Sequence, residues 1–328
     1  MAYPALYISA GFILGLLFGS FLNVVIIRLP RKMFYLWDQQ CKEHLAADEE
    51  TITQTNQAID TPDHNETSES ADDEQVVYEQ RGGDVGSTEA FAEETSDEQA
   101  PPGIVFEPSH CVVCKHPLSA WENIPVISFL ALRGRCRHCG TRISWRYPIV
   151  EFITACLTAI VLWQLGPTLT GLGAVLLTWS LIALSGIDFD HHLLPDDITL
   201  PLLWLGLAFN LAGTFTSLDS AVIGAISGYG ILWGVFHAFR LLTGKHGMGY
   251  GDFKLTAALG AWLGWQMIPI IILAASLTGT IIGVALILLG QHQREKPLPF
   301  GPYLAMGGWI ALLWGPWILD TYLASFPG

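Results

Sequence analysis

The sequence predicts an all-α membrane protein that crosses the bilayer about eight times and carries a small zinc-binding module in its first cytosolic loop. Hydrophobic residues make up 51% of the 328 residues and charged residues only 14%, a composition typical of integral membrane proteins. Apolar runs of helical length follow one another from residue 149 to residue 319. Two Cys-x-x-Cys pairs lie in the long polar stretch that precedes them.

The first predicted transmembrane helix lies within residues 1–30, and its apolar part covers residues 5–27. This apolar run lasts for about 20 residues before Arg28, which is long enough to span a bilayer. No basic segment precedes it, so we expect a retained helix and not a cleaved signal peptide. Asn23 lies inside the run, where small residues and asparagine also favour plain packing between helices.

Residues 31–148 form a predicted cytosolic loop that begins with an acidic insert. Between residues 38 and 98 there are 19 acidic and two basic side chains, and these account for the net charge of −14 of the whole chain. Few large apolar residues occur there, which predicts a disordered segment at 38–100. No basic surface typical of nucleic-acid binding is present anywhere, so we expect no nucleic-acid partner.

The second part of this loop, residues 109–147, predicts a metal site. Its two cysteine pairs are separated by 21 residues, close to the spacing of a tetrahedral four-cysteine zinc site. Four thiolates leave no open position for water, so the predicted site is structural. Cys41 and Cys156 remain outside it. The predicted ligands are Cys111, Cys114, Cys136 and Cys139.

Residues 149–328 predict a membrane domain of seven helices. Tryptophans lie near many of the proposed ends, as in the aromatic belts of membrane proteins. The predicted spans are 149–165, 169–187, 198–215, 221–242, 253–265, 268–289 and 303–319.

The distribution of lysine and arginine predicts the orientation of these helices. The connections at 166–168, 216–220 and 266–267 contain no lysine or arginine, whereas those at 28–148, 243–252 and 290–302 do. The connection at 188–197 contains none either, and its side follows from that of the neighbouring connections. Because positively charged loops stay in the cytosol, we expect both termini on the outer, periplasmic side. The same rule places the acidic segments at 188–197 and at Asp252 together on the cytosolic side.

Two acidic segments at the ends of apolar helices indicate the chemistry. Asp252 follows the glycines of a Gly-Tyr-Gly-Asp sequence at 249–252, and Asp188 begins an acidic stretch at 188–197. Ionisable groups at such depth in a membrane protein are costly and indicate function. Hydrolysis of a peptide bond needs one carboxylate as a base and one protonated carboxyl as an acid. Two aspartates brought together can share a proton in this way, so the sequence predicts an aspartic peptidase.

The residues alone leave other interpretations open. Asp188 competes with Asp190, Asp196 and Asp197 as the partner of Asp252, and a helix N-terminus explains at least one of the last two. A metal-handling transporter would use Asp188, Asp190, His191, His192 and Asp252 as ligands. A presenilin-like intramembrane protease also contains Gly-x-Gly-Asp, although its aspartates would lie well inside the helices. A non-catalytic assembly scaffold would explain the zinc module but not the paired acids.

Several motifs together resemble those of the type IV prepilin peptidases, also called leader peptidase/N-methyltransferases. The resemblance covers nearly the whole chain outside the acidic insert. It is carried by the two cysteine pairs and by five further stretches: Gly-Ser-Phe-Leu-Asn-Val-Val-Ile-Ile-Arg at 19–28, Glu-Asn-Ile-Pro at 122–125, Ile-Ser-Trp-Arg-Tyr-Pro-Ile-Val-Glu at 143–151, the segment 187–196, and Gly-Tyr-Gly-Asp-Phe-Lys at 249–254.

This resemblance implies an aspartic peptidase of the bacterial inner membrane that uses Asp188 and Asp252 at the cytosolic face. It implies cleavage of the basic leader peptides of prepilins and pseudopilins, followed by S-adenosylmethionine-dependent methylation of the new N-terminal residue. No glycine-rich nucleotide loop after a strand is visible, so a Rossmann-type methyltransferase domain is not expected. By resemblance alone, Asn23, Arg28 and Glu122, with the zinc module, are candidates for the methyl-donor site.

Overall fold

A computed structural model describes residues 4–59, 101–104, 107–119, 121–244, 248–289 and 298–325, with side chains in the first range described up to residue 47. Within these ranges the chain forms helices and turns and no strand. A 3-10 turn at Trp265–Met267 precedes α8. The helices are α1 (Pro4–Ile59), α2 (Ile127–Ala131), α3 (Arg146–Leu165), α4 (Leu169–His191), α5 (Asp196–Leu211), α6 (Leu218–Thr243), α7 (Tyr250–Leu263), α8 (Ile268–Leu288) and α9 (Gly301–Ala324).

The long helices of the described ranges lie at the positions of the eight predicted spans, so the predicted all-α membrane fold is confirmed. Five of them, α1, α3, α4, α6 and α8, are long and apolar enough to cross a bilayer. The helices α5 and α7 have 16 and 14 residues, fewer than the roughly 20 that a full crossing needs. Most of α7 is buried, which makes it an internal element of the bundle.

The contacts within the chain divide it into two units, Met1–Pro30 with Gly103–Gly328, and Arg31–Pro102. In the second unit α1 remains helical to Ile59, whereas the sequence predicted disorder from residue 38. That prediction is wrong for residues 38–59, because glutamate, glutamine, lysine, alanine and leucine there favour a helix despite their polarity. The rest of the predicted insert, residues 60–100, lies outside the described residues.

The helix α7 occupies the centre of the first unit, between α5, α6 and α9. Its sequence is rich in alanine and glycine, so neighbouring backbones approach it closely, as in other membrane helix pairs. A Cβ atom added at Gly260 would meet the carbonyl group of Gly224 on α6, and the reverse is also true. The two helices therefore touch backbone to backbone at this point.

The C-terminal end of α7 is held by Asn210 from α5. Its amide Nδ2 donates to the carbonyl oxygens of Ala261 (2.8 Å) and Trp262 (2.9 Å). Its Oδ1 accepts from the backbone N–H groups of Phe215 and Thr216 at 3.0 and 3.1 Å. This buried side chain is thus fully hydrogen-bonded, and it fixes α7 along its axis.

Candidate active site and metal centre

Asp188 lies in the last turn of α4 and only 5% of its surface is exposed. The helix ends three residues later, where His192 adopts a left-handed conformation with φ of 53°. The backbone N–H of Gly301, at the start of α9, donates a hydrogen bond of 2.9 Å to Asp188 Oδ2. The carboxyl group is therefore held between the end of one helix and the beginning of another.

Asp252 lies in the first turn of α7 and is 6% exposed. Gly249 directly precedes this helix, and its extended backbone (φ −81°, ψ 150°) leads the chain into it. Leu194 lies against Gly251, which is next to Asp252, and against Gly301, whose N–H binds Asp188, so the two acids lie at neighbouring helix ends. Asp188 and Asp252 are 64 positions apart in the sequence, and they approach each other because they lie at the ends of α4 and α7.

Leu194 packs between the segments that carry the two acids. A Cβ atom added at Gly251 would come within 2.7 Å of Leu194 Cβ, and one added at Gly301 would come within 3.1 Å of Leu194 Cδ2. Both positions therefore need glycine for the close approach of this side chain. Gly301 is a candidate positioning residue that the sequence analysis missed, although a Gly-Pro pair before an apolar run is a visible helix-start signal.

The other acids of the segment 188–197 make different contacts. Asp190 pairs with Arg146 (Nη2 to Oδ2, 2.5 Å), and Asp196 pairs with Lys254 (Nζ to Oδ1, 2.7 Å). Asp197 is exposed in the first turn of α5, where a carboxylate favours the helix dipole. Of the four acids in this segment, only Asp188 is buried, and Asp190 and Asp196 are instead paired with basic side chains.

The metal-handling interpretation of this segment is not supported. Within the described ranges, the only group of three or more histidine, cysteine or acidic side chains arranged to hold a metal is the set of four cysteines. His191 and His192 are exposed at the end of α4. Both aspartates lie at helix ends, as the sequence predicts, and not in the middle of helices as in the presenilin-like alternative.

The four predicted cysteine ligands converge in two similar loops. All four Sγ atoms lie within 4.8 Å of one another, with 3.7 Å between Cys111 and Cys139 and 4.0 Å between Cys114 and Cys136. Thiolates bound tetrahedrally at 2.3 Å from a zinc ion would be about 3.8 Å apart. The two distances agree with this value and the others do not exceed 4.8 Å, so the four side chains can hold a tetrahedral metal ion after small shifts.

The loops that present these cysteines repeat one pattern. The N–H of Lys115 donates to Cys111 O, and that of Gly140 donates to Cys136 O, at 2.9 and 3.0 Å. Both donors have positive φ, 56° and 71°, so the chain reverses sharply after each pair. The Sγ atom of Cys139 also lies 3.3 Å from Thr141 Oγ1, to which it donates a hydrogen bond.

Comparison with known proteins decides the family. A model described as the type IV leader peptidase family matches residues 175–284, and one described as the bacterial peptidase A24 N-terminal domain matches residues 13–165. A curated relative from Aeromonas hydrophila is 48% identical over 98% of this chain and 96% of its own length. A relative from Pseudomonas aeruginosa is 44% identical over 98% and 95% of the two chains. The chain belongs to the type IV leader peptidase family.

Both relatives carry the name prepilin leader peptidase/N-methyltransferase, and the leader peptidase family is one of aspartic peptidases. The predicted family and the predicted class of enzyme are therefore confirmed. No solved structure matches the chain.

The three candidates for the methyl-donor site of this leader peptidase family member differ in their surroundings. The buried guanidinium of Arg28 donates to the carbonyl oxygens of Gly103, Glu107 and Pro108 at 2.6, 3.0 and 3.3 Å. These bonds anchor the segment that leads into the metal module. Because they use three donors of the fork, they indicate a structural role for Arg28.

Glu122 and Asn23 differ in how completely their side chains are hydrogen-bonded. The carboxylate of Glu122 accepts from the hydroxyl (2.7 Å) and the backbone N–H (2.9 Å) of Ser119, and these bonds lower the pKa of Glu122. It therefore closes a local turn. Asn23 is 3% exposed and donates from Nδ2 to the carbonyl oxygen of Tyr147 at 3.1 Å, but its Oδ1 has no hydrogen-bond partner.

Proposed function

We propose that this chain removes the basic leader peptides of prepilins and pseudopilins and then methylates the new N-terminal amine. The two buried aspartates at adjacent helix ends carry the peptidase half of this proposal. The names and near-complete coverage of the curated relatives support both halves. The domains that we assign are a first helix at 1–30, a loop at 31–148 containing the zinc module at 109–147, and a peptidase membrane domain at 149–328.

In the proposed cleavage step Asp188 and Asp252 act as one unit that holds a single shared proton. The ionised carboxylate takes a proton from a water molecule, whose oxygen forms a bond to the carbonyl carbon of the scissile peptide. The protonated carboxyl donates a hydrogen bond to the carbonyl oxygen and then its proton to the leaving nitrogen, as the C–N bond breaks. The Gly301 N–H holds Asp188 Oδ2 in place throughout, which leaves Oδ1 for the water or the substrate.

The methylation step needs S-adenosylmethionine, which supplies the methyl group when it is bound. Oδ1 of the buried Asn23 has no hydrogen-bond partner. The amino group of S-adenosylmethionine could donate a hydrogen bond to this oxygen. Asn23 is therefore the sequence candidate that we retain for this site. Arg28 and Glu122 already have their hydrogen-bonding groups engaged with the chain itself.

We assign zinc to the four-cysteine site, in a structural role. Tetrahedral sulfur ligation is the preferred environment of zinc, and four protein ligands leave no position for a reacting water. The bonds of Arg28 to the segment 103–108 connect this module to α1. The module is thereby attached to α1 at Arg28.

We propose that the active site faces the cytosol from the bacterial inner membrane, with both termini in the periplasm, and the basic loops support this orientation. Arg146 and Lys254, which pair with Asp190 and Asp196, belong to the same basic side. Substrates with basic leaders would approach from the cytosol, where their leaders lie before export.

The decisive experiment uses membranes that contain the full chain, a prepilin-like peptide with a basic leader, and methyl-labelled S-adenosylmethionine. We expect Asp188→Asn and Asp252→Asn each to lower the cleavage rate by roughly 100-fold or more, while a precleaved peptide is still methylated. Asp219→Asn is the matched control, because Asp219 also lies in the first turn of a helix but at the start of α6. Substantial cleavage by either active-site variant would refute the assignment.

A further inference from the structure

Two buried polar groups on α1 and α3 are incompletely satisfied in the described residues: Asn23 Oδ1 has no hydrogen-bond donor, and Glu151 has no cation paired with it. Asn23 Oδ1 is one of two buried side-chain polar atoms of the described residues that have no hydrogen-bond partner. An unpaired acceptor of this kind is energetically unfavourable, because it has lost its hydrogen bonds to water without replacement. Its own Nδ2 is engaged with Tyr147 O, so the amide is fixed with its oxygen unsatisfied.

Glu151, on α3, is the second acceptor, and the sequence analysis did not single it out. It is 8% exposed, its Oε2 accepts from the backbone N–H of Val126 at 2.8 Å, and the side chain of Ser20 also interacts with the carboxyl group. No ion pair of the described residues includes Glu151; those present join Lys42 to Asp38, Arg146 to Asp190 and Lys254 to Asp196. Burial of a carboxylate without a cation is strongly unfavourable.

The two acceptors lie in one small region. On α1, Asn23 contacts Tyr147 of α3. One turn earlier on α1, Gly19 packs against Glu151, which lies one turn after Tyr147 on α3. A Cβ atom added at Gly19 would lie 2.6 Å from Glu151 Cα. Ser20 lies between Gly19 and Asn23 on the same stretch of α1. Asn23 and Glu151 therefore belong to the same two turns of the α1–α3 interface.

A primary ammonium group satisfies both requirements at once. It carries the positive charge that Glu151 lacks and three N–H donors, enough for the carboxylate, for Asn23 Oδ1 and for one further acceptor. A neutral ligand would leave the charge of Glu151 uncompensated. The aspartate pair does not use this region, since Asp188 and Asp252 lie on α4 and α7.

We propose that Asn23 and Glu151 form a binding site for a primary ammonium group in the methylation half of the reaction. This proposal rests on the function proposed above. That reaction contains two such groups, the amino group of S-adenosylmethionine and the N-terminal ammonium of the cleaved pilin. Both have the same chemistry, and the choice between them is made by the experiment.

The test measures binding to the purified full chain in detergent, with Glu151→Gln and Asn23→Leu as variants. One arm uses labelled S-adenosylhomocysteine and its analogue without the amino group. The other arm uses a precleaved pilin peptide with a free N-terminus and the same peptide acetylated there. Thr154→Val is the matched control, because Thr154 is fully buried one turn from Glu151 and its hydroxyl bonds only to Val150 O within α3.

We expect Glu151→Gln to weaken binding of one amine-bearing probe by at least roughly tenfold, the effect of a hydrogen bond to a charged group. The matching probe without the amine should bind wild type and variant alike. A loss confined to S-adenosylhomocysteine assigns the site to the methyl donor, and a loss confined to the peptide assigns it to the pilin N-terminus. A loss with both amine-bearing probes supports a site that serves both.

Equal losses with and without the amine would overturn the proposal, as would unchanged binding of both amine-bearing probes. Cleavage of uncut prepilin peptide by the same variants reports folding independently, because Asp188 and Asp252 are untouched. A wild-type chain that neither cleaves nor methylates would instead refute the proposed function. The two failures are thus distinguishable.

Discussion

The backbone N–H of Gly301 donates a hydrogen bond of 2.9 Å to Oδ2 of Asp188, across 113 positions of sequence. A Cβ atom at residue 301 would lie only 2.6 Å from the same oxygen. The start of α9 therefore fixes one oxygen of the aspartate and has no room for a side chain there. This contact makes Gly301 a positioning residue for the proposed catalytic pair.

Substitution Gly301→Ala should impair catalysis more than substrate binding. The added methyl group would displace the Asp188 carboxyl group, and small displacements of a reacting group lower rates by roughly 10- to 100-fold. We expect kcat for cleavage to fall by that factor with KM nearly unchanged. Steady-state kinetics with a fluorogenic prepilin-like peptide would measure both constants.

The control for this prediction is Gly230→Ala on α6, where an added Cβ meets no atom within 4 Å. It should leave both constants at their wild-type values. A Gly301→Ala enzyme whose KM rises while kcat stays the same would contradict a positioning role and indicate a substrate-binding one.

Local patterns were sufficient to predict the long helices and the cluster of four cysteines. Apolar runs mark the spans, and the two cysteine pairs mark their own loops because ligand spacing is a short-range property. Asp188 and Asp252 were candidates because each ends or begins an apolar helix. The roles of Gly301 and Glu151 depend instead on contacts between α9 and α4 and between α3 and α1. No local pattern records such contacts, so both residues were missed.

The helix at residues 38–59 was missed for a different reason. Acidic composition was taken as evidence for disorder, but in α1 the same glutamate, glutamine and alanine residues extend a helix that has already been nucleated in the apolar part. Extension of an existing helix adds one hydrogen bond for each residue that is fixed, so polar residues continue it readily.

Asp190 is expected to be dispensable for cleavage, in contrast to Asp188. It is paired with Arg146 near the surface, with side chains 24% and 35% exposed, and such ion pairs contribute about 0–1 kcal/mol to stability. Asp190→Asn should retain cleavage within a few-fold of wild type and should lower the melting temperature only slightly. Cleavage assays and thermal unfolding in detergent would measure the two effects.

An Asp190→Asn chain that is as inactive as Asp188→Asn would show that the acidic partner of Asp252 has been misassigned. Repeating the assay at high salt distinguishes a surface ion pair from a catalytic role for Asp190. A surface ion pair is screened by salt, so any small effect of Asp190→Asn on the rate should then disappear.

Removal of one cysteine ligand should abolish metal binding. The Sγ atoms of the four cysteines lie within 4.8 Å of one another, and a tetrahedral zinc site with three thiolates loses much of its affinity. We expect about one zinc ion per purified wild-type chain and nearly none in Cys114→Ser. Elemental analysis after dialysis would provide the measurement.

Cys156→Ser is the matched control for the metal prediction, since Cys156 lies on α3 and is not part of the cluster. It should keep the full zinc content. Equal zinc content in Cys114→Ser and the wild type would exclude the four-cysteine site as the place where the metal binds.

The stability of the membrane domain should depend on the close contact between Gly224 and Gly260. In Gly260→Ala the new methyl group would overlap the carbonyl group of Gly224, which is backbone and cannot rotate away. Overpacking of this kind costs about 1–3 kcal/mol, occasionally more, so the melting temperature in detergent should fall. Because α7 also carries Asp252, a shift of this helix away from α6 should lower the cleavage rate at the same time.

The matched variant Gly234→Ala lies on α6, and its added Cβ meets nothing within 4 Å. Since alanine stabilises a helix interior by roughly 1 kcal/mol relative to glycine, this variant should be neutral or more stable than the wild type. If Gly260→Ala and Gly234→Ala melted at the same temperature, the close approach of α6 and α7 would not be what holds Asp252 in place. A fall in both stability and cleavage for Gly260→Ala alone would instead tie the geometry of the aspartate pair to this single backbone contact.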